Sequence, residues 1–244
     1  MIGDVPATLR SAMSTLLAAD DPLTIAAQST IRSGDAGALR DLLSANPALA
    51  RAVVVDKGGA QRTLLHIACD WPGHLPNVAE TIAVLVAAGA DPNVGMPETP
   101  LHWAASSDDV EAIDALLDGG ADLEAPGAVF TGGTPMSDAV VFAQWNAARR
   151  LLERGAQTTI WQSAALGLLD RVREHSSPSP DEITNALWHA CRGGRRETAQ
   201  FLLERGADLH WVGHDRKTPL QVAQESGDEE LVRWLTNASP STTR

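Results

Sequence analysis

Apolar residues recur along this chain at spacings of three and four, in short runs that stop at glycine. Leu101, Ala104 and Ala105 share one helical face. Thr99-Pro100 precedes them, and proline suits a first helical turn because its missing N–H leaves no bond unmade. A tight loop follows. Asp108 stands where the N-cap of a second helix is wanted, with Glu111 three residues on, the spacing of a capping box. Gly119-Gly120 closes that helix, since glycine takes the left-handed conformation cheaply. Near the start, Val5, Leu9, Ala12, Met13, Leu16 and Leu17 form one stripe and predict a helix over residues 4–18.

A helix pair this short cannot bury its apolar face alone, and the chain repeats it. Thr99 to Gly120, Thr134 to Gly155 and Asn185 to Gly206 are each 21 residues apart. Thr63-Leu64-Leu65-His66 opens a longer copy that closes at Gly89, with about five residues inserted. Thr218-Pro219-Leu220 opens a last copy, which runs out after Leu235.

The Thr-Pro-Leu-His opening at 99–102, the paired helices and the Gly-Ala closings resemble the ankyrin repeat family. The resemblance covers roughly Pro22 to Leu235. It implies an all-α ankyrin-repeat solenoid of about seven helix-turn-helix units, the first, fifth and last irregular, with an N-terminal capping helix. The expected organisation is a single domain over residues 1–238. Its cap is 1–21, its units about 22–60, 61–96, 97–132, 133–157, 158–183, 184–216 and 217–237, and a disordered tail follows at 239–244.

The middle of the array departs from pattern. The second unit carries the insertion Asp70-Trp71-Pro72-Gly73-His74-Leu75-Pro76-Asn77 between its helices, a defined loop by its prolines and glycine. The fourth unit has Ser137 and Asp138 after its opening and no glycine in its turn. The finger before the fifth unit is missing, and Pro178 and Pro180 stop that unit's second helix. Asp56-Lys57-Gly58-Gly59 reads as the tip of a hairpin finger.

Charge narrows the partners. Acidic residues outnumber basic ones 31 to 19, a net charge of −12. Phosphate neutralisation supplies most nucleic-acid affinity, so nucleic acid is not the expected partner. The local cluster Arg192, Arg195 and Arg196 reads as a solvated edge. No apolar run is long enough to span a membrane, and the N-terminus lacks a basic region followed by an apolar core, so the expected setting is the cytoplasm. Cys69 and Cys191 hold the same place in different units, too far apart to pair, and read as buried free thiols.

No nucleophile elbow, phosphate loop or metal-binding helix pattern appears, so no catalytic residue, metal or cofactor is expected. The resemblance implies binding through finger tips and the exposed ends of first helices, which line a concave face. Register places Asp70, Trp71, Ser106, Val141, Phe142, Leu166 and Arg192 on those helix ends, with Phe130 and Trp211 on fingers. Trp71, Val141, Phe142 and Leu166 are large and apolar on a solvent face. They form either a docking groove or residues covered by the inserted loop. His66 and His102 lie in the opening motif, where the family implies bracing between units.

Seven Trp, three Phe and no Tyr leave Trp103 and Trp234 as core packing and Trp145, Trp161, Trp188 and Trp211 open between core and binding. Asp138 and His189 replace apolar residues on first helices. Asp138 is expected to pair with a neighbour such as Trp161 or His189, or to meet a ligand. The leading expectation is a monomeric module that docks a cytoplasmic protein. The alternative is a small-molecule or catalytic pocket around Asp138, Phe142, Trp71 and Trp103, with Trp188 and His189 as further ligand contacts.

Overall fold

A computed structural model describes residues 15–127 and 132–238. The Phe130 finger tip, residues 4–14 of the expected capping helix and the tail 239–244 lie outside the described residues. The chain divides into two compact units, one through Ala139 and one from Val140 onward.

The first unit opens on strand β1 (Leu16–Ala18), helices α1 (Pro22–Ser33) and α2 (Ala36–Ala45), a 3-10 turn, then strands β2 (Val53–Val55) and β3 (Gln61–Thr63). Helices α3 (Leu64–Ala68), α4 (Val78–Ala87), α5 (Pro100–Ser106) and α6 (Val110–Asp118) follow, and α7 (Pro135–Val141) runs across the division. The second unit continues with α8 (Trp145–Glu153), α9 (Ile160–Leu166), α10 (Leu169–Glu174), α11 (Pro180–Arg192), α12 (Arg196–Glu204), α13 (Pro219–Ser226) and α14 (Glu229–Ala238). The described helices thus form seven consecutive pairs.

Leu16–Ala18 is a strand, where the apolar stripe predicts the end of a helix. It pairs in parallel with Val53–Val55, which pairs antiparallel with Gln61–Thr63. A run of three β-branched valines offers ladder bonds that outweigh the local helical spacing. The hairpin between β2 and β3 turns at Asp56–Gly59, as its glycines predict.

The recurrent opening is a capping device. Thr63, Thr99, Thr159, Ser179 and Thr218 each cap a first helix and form a capping box with His66, His102, Gln162, Glu182 and Gln221. The proline behind three of these caps, Thr99, Ser179 and Thr218, fits the first turn.

Two boundaries differ from the sequence reading. The N-cap of α6 is Asp109, whose Oδ1 accepts from Ala112 N at 3.0 Å. Asp108 instead takes the left-handed turn position, φ 56°, that glycine fills at 34, 167, 194 and 227; Ala143 takes it in the fourth pair. Helix α11 begins at Pro180, not near Asn185: Pro178 and Pro180 follow the end of α10, but Ser179-Pro180-Asp181-Glu182 is itself a start signal.

The core of the first unit is built from Ile31, Leu39, Leu64, Leu65, Ile82, Leu85, Leu101, Ile113, Leu116 and Met136, that of the second from Leu187, Trp188, Leu202, Leu231 and Leu235, all 1 % exposed or less. Ala104, Ala105, Ala164, Ala165 and Ala190, fully buried, keep the first helices thin. Cys69 and Cys191 are buried free thiols. Burial pushes the Cys69 thiol above its ordinary range and that of Cys191 up to about 12. Trp234 is partly buried against the second core.

Candidate functional site

Helix α3 is only five residues long, and the inserted loop leaves its end at Asp70. The loop is pinned at several points. Gly73 N donates to Asp70 O at 2.8 Å, His74 N to Asp109 Oδ2 at 2.6 Å, and Asn77 Nδ2 to Gly34 O at 3.0 Å. Asp109 is 1 % exposed and uses one carboxylate oxygen to cap α6 and the other to hold the loop. Gly73 lies against the α5–α6 turn so closely that a Cβ would stand 3.0 Å from Ser107 Cβ. Arg62 joins the loop to the hairpin, 3.2 Å from Asp70 and 3.4 Å from Asp56.

This frame does not cover Trp71. The indole is 80 % exposed. A large apolar ring on a pinned loop has little conformational entropy left to lose on binding. The covered-groove expectation therefore fails for Trp71.

At the end of α5, Ser106 is half-buried and its hydroxyl donates back to Trp103 O at 2.9 Å. Trp103 is half-buried, its ring edge-on to His66 at 5.0 Å, so it packs as much as it faces solvent. His66 and His102 brace as expected. His66 Nδ1 accepts from Thr63 N at 3.2 Å and its Nε2 reaches Glu98 O at 2.9 Å. His102 makes the corresponding bonds to Thr99 N at 3.2 Å and Gly133 O at 3.4 Å. Burial holds both imidazoles neutral, pushing His66 down to about 4 and His102 below its ordinary value.

Asp138 is 1 % exposed, and at its buried Oδ1 no hydrogen bond is made. Burial, reinforced by the charge of Glu98, pushes its carboxyl up to about 7.

In the second unit Phe142 is 41 % exposed, while Val141 and Leu166 are half-buried. Five rings converge here. Trp161 tilts over His189 at 4.6 Å, Trp188 stands edge-on to His189 at 5.0 Å and to His214 at 5.3 Å, and Trp211 edge-on to His214 at 5.9 Å. Trp188 is fully buried and donates from Nε1 to Lys217 O at 2.9 Å, so it is core. His189 is 4 % exposed, with Nδ1 unpartnered. Burial, then the charges of His214 and Arg192, push it down to about 3.

The arginine cluster is absorbed internally. Arg192 lies over Trp188 at 5.6 Å and 3.9 Å from Asp215, Arg195 Nε donates to Ala165 O at 3.1 Å, and Arg196 is 3.8 Å from Glu230.

A family model for ankyrin repeats (3 copies) matches residues 65–162 and 160–244. The chain belongs to the ankyrin repeat family. Over 141 residues this ankyrin repeat chain is 28 % identical to the ankyrin repeat and KH domain-containing protein mask-1 of Caenorhabditis elegans, covering 58 % of this chain and 5 % of that protein. It is 27 % identical over 153 residues to human transient receptor potential cation channel subfamily A member 1, covering 54 % of this chain and 14 % of the channel. The chain thus spans a small fraction of these relatives' length. The crystal structure of the human ASB11 ankyrin repeat domain matches 88 % of this chain and 97 % of its own, with a TM-score of 0.53 and 21 % identity, a likeness of fold.

Ankyrin repeats are generally protein-interaction modules, and the repeats here carry exposed apolar groups suited to that use. Two positions escaped the sequence reading: Asp109, which holds the Trp71 loop, and Val212, 59 % exposed on the finger beside Trp211. Val212 follows Trp211 directly, and an apolar pair in a polar finger is the signal that marks it. Among the described residues no group of His, Cys, Asp and Glu is disposed to hold a metal ion, and no helix is long and apolar enough to cross a membrane.

Proposed function

We propose that this chain docks a partner protein through its fingers and first-helix ends, with Trp71 as the apolar anchor. The observation that supports this most is the 80 % exposure of Trp71 on a loop fixed by Asp109, Arg62 and Asn77. Tryptophans of this kind dominate binding energy at protein interfaces. Asp70 and Ser106 in the first unit, and Val141, Phe142, Leu166, Arg192 and Trp211 in the second, belong to the same reading as further partner contacts. The excess of acidic residues favours a neutral or basic partner and disfavours nucleic acid. The module acts as a monomer in the cytoplasm, and its seven units serve as one domain.

The test is capture from the native cytoplasm by wild type beside Trp71→Asp, each with an unchanged melting temperature. A protein retained by wild type and lost on the variant supports the reading. Equal retention by both contradicts it.

A second reading, a small-molecule pocket around Asp138, Phe142, Trp71 and Trp103, has one observation in its favour, the unpartnered buried Oδ1 of Asp138. The exposure of Trp71 counts against it, since a ring so open walls no enclosed cavity.

A further inference from the structure

The second unit handles guanidinium groups in a consistent way. Arg192 lies over the Trp188 ring at 5.6 Å with the Asp215 carboxylate 3.9 Å from its guanidinium. Phe201 takes two more, Arg173 and Arg205, each 5.5 Å from the ring centroid. An aromatic face attracts the delocalised cation through its quadrupole, and a carboxylate beside it completes the site.

The same combination occurs once more with no internal arginine or lysine among the described residues. A cleft of about 480 Å³ is lined by Asp181, Glu182, Thr184 and Asn185 from α11 and by Trp211 and His214 from the following finger. Among the described residues no arginine or lysine lies over Trp211, and neither Asp181 nor Glu182 has an ion-pair partner.

The cleft is held in shape. Trp211 folds back over its own finger, so that a Cβ on Gly213 would overlap the indole ring. His214 stands edge-on to that indole at 5.9 Å and is tied to Asn185 Oδ1 through Nε2 at 3.1 Å. Thr184 Oγ1 accepts from Asp208 N at 3.1 Å and fixes the other end of the finger. Glu182 accepts from Ser179 N and Oγ through Oε2 alone, at 2.8 and 2.9 Å. Those bonds, and after them the charge of His175, hold its carboxyl below its ordinary range, and Oε1 takes no part in the bonds to Ser179. Asp181 is exposed beside it.

We infer that this cleft binds a guanidinium group, presented by an arginine side chain of a partner polypeptide, stacked on Trp211 and paired with Asp181 and Glu182. The inference rests on the second unit alone and uses no residue of the Trp71 loop, so either can fail without the other. The carboxylates select a cation, and they disfavour free arginine, whose own carboxylate they repel.

The test is a titration of the full chain, observed through tryptophan indole N–H signals, with acetyl-arginine amide as the probe. Acetyl-citrulline amide, its neutral isostere, and free arginine are the comparisons. The expected result is a saturable shift of the Trp211 signal with acetyl-arginine amide, weaker by about tenfold for citrulline, and weaker for free arginine. Asp181→Asn with Glu182→Gln abolishes the shift. Gly213→Ala, which displaces the ring and leaves every charge in place, weakens it while the buried Trp188 signal, a marker of folding, stays put. Equal binding of citrulline, no saturable shift at Trp211, or full binding by the charge variant overturns the inference. Free arginine binding as well as the capped amide overturns its assignment to a polypeptide.

Discussion

The Nε2 atom of His66 lies 2.9 Å from the main-chain oxygen of Glu98, 32 residues further along the chain. Its Nδ1 accepts the Thr63 N–H at 3.2 Å, which fixes the tautomer: Nδ1 is the acceptor and Nε2–H donates to Glu98. One imidazole therefore closes a capping box and ties its helix to the next finger.

Removing that ring leaves a cavity and two unmade bonds. His66→Ala is expected to cost about 2–4 kcal/mol in urea unfolding. His66→Gln should lose clearly less, because Gln162 and Gln221 close the same box in other units. Equal losses for the two variants would show that the box contributes nothing.

Acidification should destabilise the protein through its buried histidines. The folded values of His66, about 4, and His189, about 3, lie below the ordinary 6.5, so the unfolded chain binds more protons between these limits. The stability both contribute is present above 6.5 and falls as pH drops, by about 1.4 kcal/mol per pH unit for each histidine. Urea melts across that range should show the slope, and His189→Phe should flatten it. A slope indifferent to both histidines would contradict their burial as neutral rings.

Asp138 works in the opposite direction. Its folded value, about 7, lies above the ordinary 3.8, so its stabilising share is present below 3.8 and is lost as pH rises through 7. Asp138→Asn should therefore stabilise the chain above neutrality by about 2 kcal/mol, with a gain that shrinks toward acid pH. A pH-independent difference would mean that Asp138 is solvated or paired.

Asp109 should govern the Trp71 loop without touching Trp71. Asp109→Ala removes the α6 cap, a loss of about 1 kcal/mol, and frees the amide of His74. Hydrogen exchange should then accelerate at His74 and through residues 70–77. Unchanged protection there would show that the other pins suffice.

Local signals carried most of the fold. Thr99, Pro100 and His102 build their helix start through neighbours within three residues, so that pattern could be read directly and the helix pairs found by register. The misses are long-range or competing. Leu16–Ala18 became a strand because Val53–Val55 lies beside it, a pairing invisible to a helical stripe. Asp108 and Asp109 are adjacent acids, and only the turn's left-handed position separates the linker from the cap. The Pro180 start was legible in Ser179-Pro180-Asp181-Glu182 but masked by reading its prolines only as stops. The candidate site was legible in composition and not in state. That Trp71 is open while Trp188 is sealed depends on Asp109 and on Lys217, both nearly thirty or more residues away.

The central claim, that Trp71 is the anchor of a protein partner, is tested most directly by photo-crosslinking in native cells. The crosslinker is placed by Trp71→p-benzoylphenylalanine and, as a control, by Ile25→p-benzoylphenylalanine at a second exposed apolar position, 53 % accessible in the same unit. The account predicts a discrete crosslinked protein from position 71, competed away by unmodified wild-type chain and absent from position 25. No crosslink at 71, or the same products from both positions, would contradict it.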